Sequence, residues 1–322
     1  MALLLTARDL EPLFATPASV DSLLEMVAEA SCAQSRGEVT GAGGFLLPLP
    51  DKKRNFRIMT AALPNAGALL RVYALFAGAK DGHFNILFDA ESGDLLALIA
   101  GAELNVWRTG APAGVACRLL ARHDAQTLAL LGSGRQARGQ LLAIRRAVPS
   151  LKLARVFSPT EAHRRRFAEQ MTSWLGLDVE AAEDPRAALA RADIIAVATN
   201  SRAPVLDEGW IEPGALIISI TSGQLPAALV ARSRVVVSSR EELLSFKPPR
   251  QPYSAMIARG AWSADKAAEL GEVMLGQRLG RQGESEIVLF ELLGLPAWDA
   301  AASAWAYRWA LDHKAGAPFS LG

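Results

Sequence analysis

The stretch LALLGSGRQARGQL, Leu128 to Leu141, decides the fold. An apolar run meets two glycines and then changes to small and polar residues, the pattern of a strand handing over to a helix through a tight turn. Gly132 allows the turn, Gly134 lets backbone N–H groups approach a pyrophosphate, and Ala137 stands where a third small residue permits close helix–strand packing. With Ser133, Arg135 and Gln136 between them, these positions are shaped for a dinucleotide. The bland alternative is a glycine-rich βα turn that holds nothing.

Outward from that turn the same alternation continues. LARVFS is followed by helical pattern through Met171, and then come ADIIAVAT, ALIISIT and RVVVSS. Short runs rich in β-branched residues, alternating with helical pattern, predict a parallel sheet buried on both faces. We expect a Rossmann-type, doubly wound α/β domain over residues 122–299. Ligands of such sheets lie at the carboxyl edge, which places Thr199, Asn200 and Ser201 near the nicotinamide ribose. The second strand ends on Ser158, with Thr160 close and His163, Arg164, Arg165 and Arg166 behind, and no carboxylate to repel a 2′-phosphate. NADP is therefore favoured, with NAD as the alternative; the arginines also fit a solvated helix face. A loop over Lys247–Pro252 and helical pattern around Ala264–Leu275 and Trp298–Leu311 follow.

The first part of the chain has another style. Helical pattern over Ser19–Ala33 is joined to GGFLLPLP, NFRIMTAAL, LLRVYALF and HFNILFDAESGDLLALIA, the last split by the turn signal Glu91-Ser92-Gly93-Asp94. MALLL reads as an edge strand. Residues 1–121 with 300–322 are expected to form an α+β domain for substrate binding and dimerisation, the last helix packing back on the N-terminal half. With 34 basic and 33 acidic side chains the net charge is +1, which gives no footprint for nucleic acid or an anionic membrane. No apolar run is long enough to span a bilayer. Cys32 and Cys117 stand apart with no metal-ligand spacing, so no metal is expected and a cytoplasmic protein with reduced thiols is.

The turn GSGRQA, the stretch NVWRTGAPAGVACRLLA (Asn105 to Ala121), ELGEVMLGQRLGR (Glu269 to Arg281), ADIIAVATNSRAPVLDEGWIEPGALI and the tail IVLFELLGLPAWDAAASAWAY together resemble the ornithine cyclodeaminase/mu-crystallin family over nearly the whole length. The resemblance implies an NAD(P)-dependent oxidoreductase that transfers hydride at the α-carbon of an amino or imino acid, working as a homodimer on a small carboxylate. It implies that Arg108 binds the substrate carboxylate and that Thr109 opens the segment facing the cofactor phosphates. A planar guanidinium grips a carboxylate bidentately, in keeping with that role.

Three departures from the family pattern stand out. Arg71 occupies the place of a lysine that faces the substrate; it can hold an anion but does not shuttle protons. Ser222, Gly223 and Gln224 stand where the cyclodeaminase aspartate is expected, so Ser222 or Gln224 is left to hydrogen-bond the substrate, and ornithine cyclodeamination is disfavoured. Gly44 stands where the family carries an arginine. Lys80 and His83 are each open between a site role and ordinary structure, and Asp299 is open between touching the site and capping the last helix, the cap being the default. The leading expectation is a ketimine reductase or amino-acid dehydrogenase with Arg71 and Arg108 as an anion clamp; the alternative is a dinucleotide-binding or regulatory protein without catalysis.

Overall fold

The computed structural model describes the chain except residues 15, 52, 77–81, 202, 221–224, 247 and 322, and the side chains at 17, 42 and 43. Two compact units result: Met1–Arg108 with Gly294–Gly322, and Thr109–Leu293.

The first unit is built on a seven-stranded sheet of β1 (Ala2–Leu5), β2 (Thr40–Pro48), β3 (Asn55–Leu63), β4 (Gly67–Ala74), β5 (His83–Phe88), β6 (Leu95–Ala100) and β15 (Ala317–Phe319), ordered β15-β1-β6-β5-β4-β3-β2. Alternation decides its faces: Met59, Ala61 and Leu63 of β3 are buried with Leu69 and Arg71 of β4. The β5–β6 turn falls on the Glu91–Asp94 signal, where Gly93 takes φ +76° and Asp89 accepts from the backbone N–H groups of Glu91 and Ser92. MALLL is not an edge. β1 lies between β6 and β15, because the C-terminal residues supply a further strand that no local pattern in Ala317–Phe319 announces.

A helix covers this sheet's apolar residues and a second packs on it. Pro17–Ser35 starts at Thr16, whose hydroxyl accepts from Ser19 N, and Pro296–His313 packs against it and against β3 and β4. The indole of Trp298, fully buried, donates to Ser31 Oγ at 2.9 Å, and that of Trp305 to Ser22 Oγ at 2.8 Å. Each indole thus buries a large apolar surface without stranding its N–H.

The helix Gly101–Leu120 carries the chain from one unit to the other, and the division falls inside it, after Arg108, rather than at residue 121. The reason is close backbone approach. A Cβ on Gly110 would lie 2.2 Å from Gly139 O, and Gln140 Nε2 donates to Thr109 O at 3.2 Å, so from Thr109 onward this helix is packed on Arg135–Ala147.

The second unit is an eight-stranded, all-parallel sheet of β7 (Thr127–Leu131), β8 (Leu153–Phe157), β9 (Asp178–Ala181), β10 (Ile194–Val197), β11 (Leu216–Ser219), β12 (Arg234–Val237), β13 (Ala268–Glu269) and β14 (Val288–Glu291). The order β13-β12-β14-β11-β10-β7-β8-β9 contains the doubly wound 3-2-1-4-5 arrangement, with the reversal beside β7. The strands read from the sequence are there; β14 had been read only as part of a tail, yet it lies between β11 and β12. Around Ala264–Leu275 the helical pattern becomes a 3-10 turn (Ala264–Lys266), β13 and a five-residue helix, because sheet pairing with β12 takes Ala268 and Glu269. Leu131, Ile195, Ile217, Val237 and Leu289 form one face of its core.

Candidate active site

In the second unit the site begins at the first βα turn. Gly132 holds φ +123°, and a Cβ there would lie 2.3 Å from Ala198 O; glycine is required twice over, by conformation and by space. Gly134 is the N-cap of the helix Arg135–Ala147 with open space where a Cβ would be, and Ala137 is fully buried beneath it. The first N–H groups of a helix have no partner within it, and with no side-chain cap and no Cβ at Gly134 the approach to them is open, the arrangement that receives a phosphate. Arg135 is exposed and Gln136 half-buried.

Beside the turn is a cavity of about 410 Å³ lined by Gly132, Phe157, Ser158, Thr199, Ser201, Leu206 and Trp210, among others. Its apolar walls and polar rim suit a flat heteroaromatic base with a ribose. Ser158 Oγ and Ser133 Oγ are 2.8 Å apart, so the two hydroxyls form one polar edge. Thr199 Oγ1 accepts from Ser201 N, which fixes the bend after β10; Asn200 is exposed beside it. Thr160 is the N-cap position of Glu161–Leu175, exposed and without a capping bond from its side chain. The arginines of that helix divide. Arg164 turns back to donate to Ser158 O at 3.1 Å, its guanidinium 5.7 Å from the Phe157 ring, whereas Arg165 pairs with Glu161 on a solvated face.

In the first unit a charged group is buried on the sheet face under the closing helix. Arg71, 1% exposed, donates through Nη1 to Asp299 Oδ1 at 2.5 Å and through Nη2 to Asn105 Oδ1 at 2.8 Å. Arg108 places Nε 2.7 Å from the same Asp299 oxygen and donates from Nη2 to the same Asn105 oxygen at 2.5 Å. Two guanidiniums are thus held side by side by two shared oxygens. Arg71 Nε and Nη2 also lie 3.1 and 2.9 Å from His83 Nε2; since a guanidinium only donates, that nitrogen accepts and the ring proton is assigned to Nδ1. The Tyr73 ring lies 4.6 Å from the Arg71 guanidinium carbon and 5.2 Å from the His83 ring. Burial lowers the Arg108 pKa to about 10, against the pull of Asp299 and with the push of Arg71, so it stays charged at neutral pH. Two cations and one carboxylate leave the group at net +1.

Asp299 is therefore not a cap. The helix Pro296–His313 has Leu295 at its N-cap and no side-chain capping bond, and Asp299, 1% exposed, serves the two arginines instead. The residues read from the sequence missed Asn105 and Tyr73 as well. Asn105 had a signal: it precedes Arg108 by three, which puts both on one helix face. Asp299 had one too, as a lone acid in the apolar start PAWDAAA. Ser222, Gln224 and Lys80 lie outside the described residues.

A further buried group was not foreseen. Glu291, 1% exposed at the end of β14, is paired in register with Ser219 and lies 3.5 Å from Arg250 Nε. Burial pushes its pKa up to about 7, with Arg250, Tyr253 and Ser219 opposing.

The sequence pattern of the ornithine cyclodeaminase/mu-crystallin family matches residues 14–314. The chain is 34% identical over 238 residues, 72% of each chain, to the Delta(1)-pyrroline-2-carboxylate reductase of Bacillus cereus. It is 30% identical over 309 residues, 92% of this chain and 91% of the relative, to that of Bacillus thuringiensis. Among solved structures, Thermococcus litoralis Delta(1)-pyrroline-2-carboxylate reductase in complex with NADH and L-proline superposes with a TM-score of 0.88 at 29% identity, over 98% of this chain and all of that one. No described helix is long and apolar enough to cross a membrane.

Proposed function

The chain belongs to the ornithine cyclodeaminase/mu-crystallin family, and from that premise we propose that it is an NAD(P)H-dependent reductase of imino acids, with cyclic imines that carry a carboxylate beside the C=N bond as its substrate class. The observation that carries this reading is the buried group of Arg71, Arg108, Asp299 and Asn105. Its net charge of +1 is completed by one carboxylate, and a desolvated guanidinium binds that anion strongly and in a fixed orientation.

The residues of the second unit fit a dinucleotide: Gly132, Ser133, Gly134, Arg135 and Gln136 for the pyrophosphate, Ser158 and Thr160 for the adenosine ribose, Thr199, Asn200 and Ser201 for the nicotinamide ribose. When bound, the reduced cofactor supplies a hydride to the imine carbon. Arg108 orients the carboxylate, and the positive charge that Arg71 adds favours it. A protonated imine brings its own proton, so hydride addition alone completes the amine. That matters here, because position 71 carries an arginine where a lysine could have shuttled a proton. Cyclodeamination of ornithine asks for a group that activates an amine, and the sequence TSGQLP offers no carboxylate for it.

For the cofactor, NADPH is the preferred form, on the strength of Ser158 in place of an acid and of Arg164 anchored at the end of β8. A homodimer accounts for Phe45, Leu46 and Leu47, large apolar side chains exposed on the edge strand β2. Two free buried thiols suit the cytoplasm. The test is titration with NADPH and NADH, followed by nicotinamide absorbance with Δ1-pyrroline-2-carboxylate and with ornithine. Imine-dependent oxidation supports the reading, and its absence with both reduced cofactors overturns it. Arg164→Gln is expected to weaken NADPH on the order of tenfold while leaving NADH unchanged, since only the 2′-phosphate meets that cation.

A further inference from the structure

The anion clamp expected from the sequence contains a difficulty. Arg71 and Arg108 already hold an anion, the carboxylate of Asp299, and both are almost wholly buried. Arg71 in addition directs Nε and Nη2 at His83 and Asn105. Four of its five N–H directions are thus engaged within the unit. A carboxylate arriving from solvent needs a more accessible guanidinium beside them.

β2 and β3 provide one. The register between them breaks between Ala42 and Phe45, and Gly44 stands in the break with φ +101°. A Cβ on Gly44 would lie 2.7 Å from Met59 Cγ, 2.7 Å from Ile58 O and 3.3 Å from Arg57 Nε. The missing side chain therefore belongs to the face that bears Met59 and Arg57. Its room is taken by Arg57, reaching across from the neighbouring strand. Cross-strand pairing puts Arg57 opposite Tyr73 and Tyr73 opposite His83, with Met59 opposite Arg71; directly paired residues share a face. Arg57, Tyr73 and His83 are thus a row across three strands, next to the Arg71 guanidinium that stacks on Tyr73. Unlike Arg71 and Arg108, Arg57 is only half-buried.

We propose that Arg57, lying across Gly44 from the adjacent strand, is a substrate-binding residue that grips the carboxylate of the imino acid, and that Arg71 with Asp299 positions Arg108 beside it. Gly44 is then required as the space beside which Arg57 passes: a side chain there would meet Ile58 O and Met59 Cγ at 2.7 Å and press on Arg57 Nε at 3.3 Å. This assignment rests on the reductase reading and names the residue that gives it carboxylate specificity.

The test uses the full chain with saturating NADPH and two ligands of one shape, L-proline and L-prolinamide, which share the ring nitrogen and differ in the carboxylate. Arg57→Gln is expected to weaken L-proline by about 10- to 100-fold, the loss of a charge-assisted pair, with L-prolinamide and NADPH unchanged. Arg57→Lys recovers part of the loss. In turnover of Δ1-pyrroline-2-carboxylate the loss falls in KM more than in kcat. Arg54→Gln, on the exposed end of the same hairpin, changes none of these. Wild-type affinity for L-proline in Arg57→Gln overturns the proposal, as does equal weakening of both ligands, which marks a structural role. Wild-type protein that neither binds L-proline nor reduces the imine overturns the reductase reading itself.

Discussion

Replacing Asp299 by alanine removes the carboxylate oxygen on which Arg71 and Arg108 converge at 2.5 and 2.7 Å. Both cations stay buried, 1% and 7% exposed, and face each other across Asn105. Breaking a buried pair by deleting one partner costs about 3–5 kcal/mol, because the remaining charge is stranded without water. Two cations are stranded here, so the upper end, about 5 kcal/mol, is expected. At roughly 2–4 °C per kcal/mol the thermal midpoint falls by about 10–20 °C. Asp299→Asn keeps an acceptor oxygen and falls between. If repulsion between the arginines is the cause, adding Arg71→Met to Asp299→Ala restores part of the loss, with a coupling of about 1–3 kcal/mol. Urea unfolding followed by circular dichroism at pH 7 measures wild type, the two Asp299 variants, Arg71→Met and the double variant. A value for Asp299→Ala within about 1 kcal/mol of wild type, or strict additivity in the double variant, refutes the reasoning.

Two further outcomes are expected. Glu291 has its pKa raised by burial from 4.5 to about 7, so the native state keeps this proton where the unfolded chain releases it. Its contribution to stability is full below pH 4.5 and declines as pH rises to 7, by about 3 kcal/mol for a shift of this size, one unit being 1.36 kcal/mol. Glu291→Gln flattens that slope, which urea midpoints at pH 5 and pH 8 report; an unchanged slope removes Glu291 as its source. Gly132→Ala forces a Cβ to within 2.3 Å of Ala198 O in a left-handed conformation. Cofactor affinity drops on the order of tenfold or more as the turn shifts, read by titration with NADPH.

The dinucleotide turn was legible because its requirement is local: Gly132 and Gly134 are imposed by backbone geometry within a few residues, and the strand and helix around them announce themselves by period. The same holds for the parallel runs, whose burial on both faces leaves continuous apolar sequence. Local pattern alone was thus enough for the Rossmann-type domain and for the mixed α+β domain. Tertiary structure alone decided what the buried charges do. Asp299 reads as a cap because an acid at a helix start usually is one, and only the approach of Arg71 from a strand 228 residues away makes it a counter-ion. β14 and β15 take their places through pairing with distant strands, and Gly44 looks like a lost arginine until register puts Arg57 across it. Short-range conformational preference is written along the chain, whereas electrostatic partnership depends on which side chains the fold brings within a few ångströms, and that distance has no counterpart in the order of residues.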